Sequence, residues 1–390
     1  MFVDYTEAQK ALRREFREYF SSLISPEYRL ALRNAESSEL YKRLIRQQGK
    51  DGMLAVGWPK QYGGRGLSQS EQLIRFEEAL LAGAPVPFVT LNTVGPAIMS
   101  HGTEQQKQRF LPGIAAGELH FCIGYTEPSA GTDLASLQTS AVKHGDHYIV
   151  NGNKVFTSGA EGADYVWLAA RTDPDAPKHK GISILVADTR DPGFSYGPIH
   201  TVGGVCTNVS YYSDVKVPTD MIIGRENGGW RLITSQLNHE RVGLAAWGVQ
   251  AWKVFRLVLD WSREQRTADG QRVIDTASAQ RNLAEAYAYL EAMRVLNARM
   301  GWSLDQGEPD PVFPSAIKVY STEIIIEICR LLMDVVGPSA LIASPSEGAV
   351  VLGELEHEHR RALINTFGGG VAEVLRGLVA THGLGMPSHR

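Results

Sequence analysis

The chain changes its period twice. From residue 5 to about 120, apolar residues recur at helical spacing. From 120 to 228 they gather in short β-branched and aromatic runs, and after Gly228-Gly229-Trp230 the helical spacing returns and lasts to about 380. Helices, then strands, then helices do not make βαβ units, so a doubly wound parallel sheet is not expected. A chain of 390 residues also exceeds one ordinary core. The expectation is an α+β multi-domain protein. It has an N-terminal α-helical domain over 1–120, a central antiparallel β domain over 121–228 and a C-terminal four-helix bundle over 229–390.

Local signals place the elements. Thr6 ahead of Leu12, Phe16, Phe20 and Leu23 predicts a capped amphipathic helix that Pro26 ends. Further helices are predicted over 37–52, 68–83, 90–101 and 103–117. After the β region they are predicted over 230–265, 275–305, 312–337 and 347–382. Strands are predicted around Tyr148-Ile149-Val150, Tyr165–Ala169, Ile182–Val186 and Val209–Tyr212, with turns at Asn151-Gly152-Asn153 and Asp191-Pro192-Gly193.

Charge and cysteine usage exclude some functions. The net charge is −4 with no block of like charge, which gives no electrostatic case for nucleic acid or an anionic membrane. Cys122, Cys206 and Cys329 match no zinc spacing and suggest no disulfide framework. The N-terminus lacks a basic then apolar secretory pattern, and no stretch approaches 18 uninterrupted apolar residues. A cytoplasmic protein is expected.

The segment Tyr125-Thr126-Glu127-Pro128-Ser129-Ala130-Gly131-Thr132-Asp133 resembles the Thr-Glu-Pro-x-Ala-Gly-Ser-Asp stretch of the acyl-CoA dehydrogenases. In that family this loop holds FAD. A flavin needs hydrogen-bond partners at its ring edge, which Thr126 suits, and unencumbered donors at its diphosphate, which Gly131 and Thr132 suit. Lys154-Val155-Phe156-Thr157-Ser158-Gly159 is similar to the family's Lys-x-Trp-x-Thr/Ser stretch. The resemblance implies that the Phe156 ring flanks the isoalloxazine and that the Ser158 hydroxyl approaches its N5. Tyr125 and Thr157 fall within the same two cofactor segments. Weaker matches are Gly57-Trp58-Pro59, Asp214–Pro218 and Ala316–Glu323.

The family takes its catalytic base from one of two places, a C-terminal Glu-Gly-Thr turn or the first helix of the C-terminal domain. Here the turn reads Phe367-Gly368-Gly369-Gly370, with no carboxylate, and the helix reads Leu237-Asn238-His239-Glu240-Arg241. The resemblance therefore implies that Glu240 removes the substrate α-proton, with Asn238 and Arg241 beside the CoA moiety. Leu237, Leu244 and Ala245 stand near Glu240 at helical spacing, the kind of apolar setting that raises a carboxyl pKa toward such a task.

Two departures concern assembly. The family's Arg-x-x-Phe-Gly reaches a neighbouring subunit's FAD, but the stretch Arg263–Gln271 here has no phenylalanine and carries Asp269. The family's Gln-x-x-Gly-Gly reads Asp334-Val335-Val336-Gly337-Pro338. The donating half is altered while the receiving half is intact. This resembles the paired dehydrogenases of bacterial steroid side-chain degradation, in which two paralogous subunits form an α2β2 assembly. The resemblance thus implies FAD-dependent α,β-dehydrogenation of a bulky or steroid-derived acyl-CoA, with an electron-transfer flavoprotein as oxidant. Two alternatives share these features. A non-catalytic partner subunit has no reason to keep Glu240, and acyl-CoA oxidases are usually much longer.

Overall fold

The computed structural model describes residues 4–32, 35, 37–236, 248–306 and 312–387, with the backbone alone at 304. Helix α1 (Glu7–Leu23) starts at a reciprocal capping box, in which Thr6 Oγ1 accepts from the Gln9 N–H and the Gln9 side chain accepts from the Thr6 N–H. Pro26, expected only to end this helix, opens α2 (Pro26–Ala31) at its first turn, where a fixed φ and a missing N–H cost nothing. Helix α3 (Glu39–Lys50) follows, then α4 (Gln69–Ala82), capped by Ser68 and Glu71. The predicted helix over 90–101 is a π-helical turn, Val89–Val94, running into α5 (Gly95–His101). Gly95 has to be glycine there, because a Cβ would lie 2.2 Å from the Trp58 ring.

Helix α6 (Glu104–Ala115) has the third capping box, Thr103 with Gln106. The Gln106 amide also donates to the carbonyls of Asp220 at 2.6 Å and Ile222 at 2.7 Å, so one side chain starts a helix and pins the edge of the sheet.

The sheet has eight strands: β1 (Phe121–Gly124), β2 (Ser140–His144), β3 (His147–Lys154), β4 (Tyr165–Arg171), β5 (Ile182–Asp188), β6 (Phe194–His200), β7 (Cys206–Pro218) and β8 (Ile222–Ile223). Their order is β6-β7-β3-β2-β4-β5-β8. Most pairs are antiparallel. β1 and the first residue of β2 share one edge of β4, and both run parallel to it. β4 and β5 are buried along almost their whole length, which is why they read as continuous apolar runs without alternation.

Residues 229–236 are helical. Beyond the undescribed 237–247 come α7 (Gly248–Glu264), α8 (Ala277–Asp305) and α9 (Phe313–Val336), which share a core of Val254, Val258, Leu283, Leu290, Ile325, Ile328 and Leu332. The predicted continuous helix over 347–382 is broken. α10 (Glu354–Ala362) passes through a 3₁₀ turn into Gly368–Gly370 before α11 (Ala372–Leu378). Gly369 has φ 68° and Gly370 φ 112°, values that no right-handed helix contains. The ammonium of Lys318, only 1% exposed, donates to the Gly370 carbonyl at 2.6 Å and fastens this turn to α9. No helix among the described residues is long and apolar enough to cross a membrane.

Candidate active site

The two segments singled out in the sequence lie against each other. The Val155 N–H donates to the Thr126 carbonyl at 2.8 Å. Lys154 Nζ donates to the Tyr125 carbonyl at 3.0 Å and to Glu127 Oε1 at 2.8 Å. Lys154 is fully buried and Glu127 is 5% exposed. Glu127 also accepts from the N–H groups of Gln138 at 2.7 Å and Thr139 at 2.8 Å, so both carboxylate oxygens are satisfied. Burial pushes the Lys154 ammonium down to about 8, against the pull of Glu127. Burial also acts to raise Glu127, but the Lys154 charge and the backbone donors prevail and hold it below the ordinary carboxylate range. The pair is ionic at neutral pH.

Glu127 and Ala130 exchange both backbone hydrogen bonds at 3.1 Å, closing a tight turn that puts Gly131, Thr132 and Asp133 on the surface. Lys178 clamps Asp133 at 2.8 Å. The second segment turns outward at Phe156, whose φ of 60° is left-handed and whose ring is 61% exposed. Ser158 is exposed, with its hydroxyl 2.8 Å from that of Thr207. Thr157 points inward. It is fully buried, its hydroxyl lies 2.9 Å from that of Ser210, and its backbone bonds Asn208 in both directions. Thr157 therefore braces the turn from behind and presents no side chain to the surface.

Tyr125 is also directed inward. Its hydroxyl donates to Gln236 Oε1 at 2.9 Å, and the Trp167 indole N–H donates to both the Tyr125 hydroxyl at 2.9 Å and Gln236 Oε1 at 3.1 Å. The Gln236 amide nitrogen is buried and has no hydrogen-bond partner among the described residues. Gln236 is the last described residue before the segment that carries Asn238, Glu240 and Arg241, and those three lie outside the described residues. Glu127, Lys154, Trp167, Gln236, Thr207 and Ser210 received no role from the sequence. Glu127 and Lys154 stood within the recognised motifs, but their pairing depends on a strand return that spacing alone does not show.

Family models for the acyl-CoA dehydrogenase N-terminal, middle and C-terminal domains match residues 6–118, 122–214 and 227–384. The chain belongs to the acyl-CoA dehydrogenase family. It is a flavoenzyme oxidoreductase of that family, and its helix–sheet–helix order is the family fold. Among similar proteins, the acyl-CoA dehydrogenase FadE26 of Mycobacterium tuberculosis is 48% identical over 398 residues, covering 99% of each chain. FadE29 of the same organism is 48% identical over 390 residues, again covering 99% of each. The solved structure described as the Tcur3481-Tcur3483 steroid ACAD aligns over 100% of both chains at 48% identity with a TM-score of 0.95. The ChsE4-ChsE5 complex from Mycobacterium tuberculosis aligns over 100% of both chains at 49% identity with a TM-score of 0.94.

Acyl-CoA dehydrogenases depend on FAD, and this chain offers a donor set that suits it. The exposed hydroxyls of Thr132 and Ser158 and the half-buried Thr126 flank the two loops. The N–H groups of Gly131 and Thr132 have no backbone acceptor among the described residues. A Cβ on Gly131 would meet only the Thr126 methyl at 3.9 Å, which leaves room for a phosphate to approach the backbone. The outward Phe156 ring supplies an apolar face.

Proposed function

We propose that this chain is the base-carrying subunit of a heteromeric dehydrogenase that desaturates bulky, steroid-derived acyl-CoA esters, and that Glu240 abstracts the α-proton. The reading is carried by a contrast in the sequence. A carboxylate stands at position 240, whereas the C-terminal turn has only Gly368, Gly369 and Gly370, fastened by Lys318. Bound FAD supplies the acceptor for the β-hydride. Thr126, Thr132, Ser158 and the 131–132 backbone hold it by hydrogen bonds, with Phe156 covering one ring face. Tyr125 and Thr157 keep the two loops in place from the interior. Asn238 and Arg241 bind the CoA moiety. Leu237, Leu244 and Ala245, apolar and at helical spacing from Glu240 in the sequence, are the kind of neighbours that suit a carboxylate to a base's task.

The relatives support the steroid and heteromer parts of this reading, since one of the similar structures is a steroid ACAD and another a two-protein complex. Leu341, Leu352, Leu363, Phe367 and Val374 stand exposed on the C-terminal elements, as expected of a face covered by another subunit. Asp269 is exposed and hydrogen-bonded by the Thr267 hydroxyl, which holds its carboxyl below the usual range and keeps a full negative charge where the family meets a phosphate. An electron-transfer flavoprotein is the proposed oxidant and the cytoplasm the proposed compartment. Glu240→Gln keeps the shape and removes the base. Flavin content should be unchanged while turnover falls at least ~10²-fold. Near-normal turnover in this variant rules out Glu240 as the base.

A further inference from the structure

Helix α10 is fixed to the bundle on one side. Leu355 and Ala362 lie in the same apolar core as Ile328 and Leu332, and Lys253 of α7 places its Nζ 2.9 Å from Glu354. The residues that lead into the helix, Val351, Leu352 and Gly353, are all left-handed, with φ 46°, 58° and 68°. For Val351 and Leu352 that backbone is costly, and it persists only where the surrounding packing holds it. The start of α10 is therefore set by the bundle and not by local preference.

On its other side α10 meets the hairpin between β6 and β7. The Arg360 guanidinium is held by Glu356 one turn earlier, with Nη2 2.9 Å from Oε2, and its Nη1 donates to the Val202 carbonyl. The Val202 side chain is 79% exposed, so the carbonyl rather than side-chain packing ties this residue down. The approach is close. A Cβ on Gly203 would lie 2.9 Å from the Ile364 side chain and 3.4 Å from the Arg360 carbonyl. Inside the hairpin the Thr201 hydroxyl donates to the Val205 carbonyl at 2.7 Å, and the Gly204 N–H donates to the Thr201 carbonyl at 3.0 Å. The hairpin tip is thus a closed unit that Arg360 fastens to the helix.

Just beyond Val205 the same strand braces the turn that carries Phe156 and Ser158. Thr207 is 5% exposed, and its hydroxyl lies 2.8 Å from that of Ser158. The Ser158 hydroxyl has no other hydrogen-bond partner among the described residues, so Thr207 alone of them orients it. Next to it Asn208 bonds the Thr157 backbone in both directions. A hydroxyl displaced by about 1 Å from such a contact is no longer hydrogen-bonded. A small shift of the hairpin therefore suffices to release Ser158.

We infer that Arg360 is a positioning residue for the flavin site. By holding the hairpin against α10 it fixes Thr207, and through Thr207 it sets the direction of the Ser158 hydroxyl. The inference rests on the reading above in which Ser158 faces the flavin. Its test uses the flavin-loaded enzyme with its co-expressed partner. Arg360→Met removes the donor, and Gly203→Val keeps Arg360 but wedges the hairpin off Ile364. In both variants amide hydrogen exchange over 201–205 should quicken roughly 10-fold or more, because the hairpin then opens locally. The flavin midpoint potential should move most of the way to that of Ser158→Ala. Arg360→Met should add nothing further to Ser158→Ala, as expected when one residue acts through the other. A merely structural role for Arg360 would lower thermal stability and leave the potential alone. Unchanged exchange over 201–205 in both variants, or a potential that moves in Ser158→Ala and in neither of the others, overturns the proposal. If Ser158→Ala changes neither the potential nor the flavin affinity, Ser158 does not face the flavin, and the reading beneath the proposal falls whatever the exchange rates show.

Discussion

Removing the Glu127 carboxylate while leaving the Lys154 ammonium strands a buried charge. Glu127→Gln should therefore cost about 3–5 kcal/mol, whereas Glu127→Gln combined with Lys154→Met should recover most of that loss, because the uncompensated charge is then gone. Denaturant unfolding of the single and double variants checks this, and equal losses in both would show that the pair is not what matters. Phe156 gives the opposite expectation. Its ring is exposed, so Phe156→Ala should leave stability within about 0.5 kcal/mol. Flavin retention should nevertheless fall roughly 10-fold, as expected when about 1.4 kcal/mol of ring contact is lost. Flavin titration monitored by fluorescence measures it, and unaltered retention assigns that ring another role. Thr126, Thr132, Phe156 and Ser158 could be proposed as site residues from the sequence because they sit in runs that resemble the family's cofactor stretches. Trp167 and Gln236 could not, since they meet Tyr125 across 42 and 111 residues and no local pattern marks them.

Helix boundaries followed the caps closely. Thr6, Ser68 and Thr103 each precede a helix by one residue, as their hydroxyls and the glutamine or glutamate three residues later foretell. The error over 347–382 came from reading apolar spacing through three consecutive glycines, which interrupt the helix whatever the period around them. Helices α1 and α4 are joined by a clearer device. Glu78, with its side chain 1% exposed, takes Arg13 at 2.6 Å and Arg17 at 2.9 Å. Burial tends to raise Glu78, but the two arginines outweigh it and leave the carboxyl below its ordinary value. A depressed carboxyl contributes stability above its unfolded pKa, near 4.5, and loses that contribution as pH falls through the folded value. Glu78→Gln should then lower stability by about 2 kcal/mol at pH 7, less than for a fully buried pair because Arg17 is half exposed. Thermal unfolding from pH 7 down to pH 3 should bring the two proteins together, and a gap that stays constant with pH would assign the loss to packing.

At the scale of the whole molecule, the altered 263–271 and 334–338 stretches predict dependence on a second subunit. The chain produced alone should hold little FAD, and co-production with a paralogue carrying an Arg-x-x-Phe-Gly-like stretch should restore it. Ala268→Phe with Asp269→Gly and Asp334→Gln should improve retention without the partner. Flavin-to-protein ratio and mass by light scattering decide, and a fully loaded, active homotetramer would exclude the heteromer. The three-part architecture was legible because each part has its own period, whereas the way the parts are fastened together was not. Gln106 is the plainest of those fasteners, and it has a consequence in time. Its oxygen caps α6 as soon as that helix exists, but its nitrogen waits for the carbonyls of Asp220 and Ile222, more than a hundred residues later. At roughly 5–20 residues per second of synthesis, that wait lasts about 6–23 s. During it the N-terminal helices are complete on the ribosome with the surface meant for the sheet still bare, so a nascent chain paused before residue 220 is the form most in need of a chaperone.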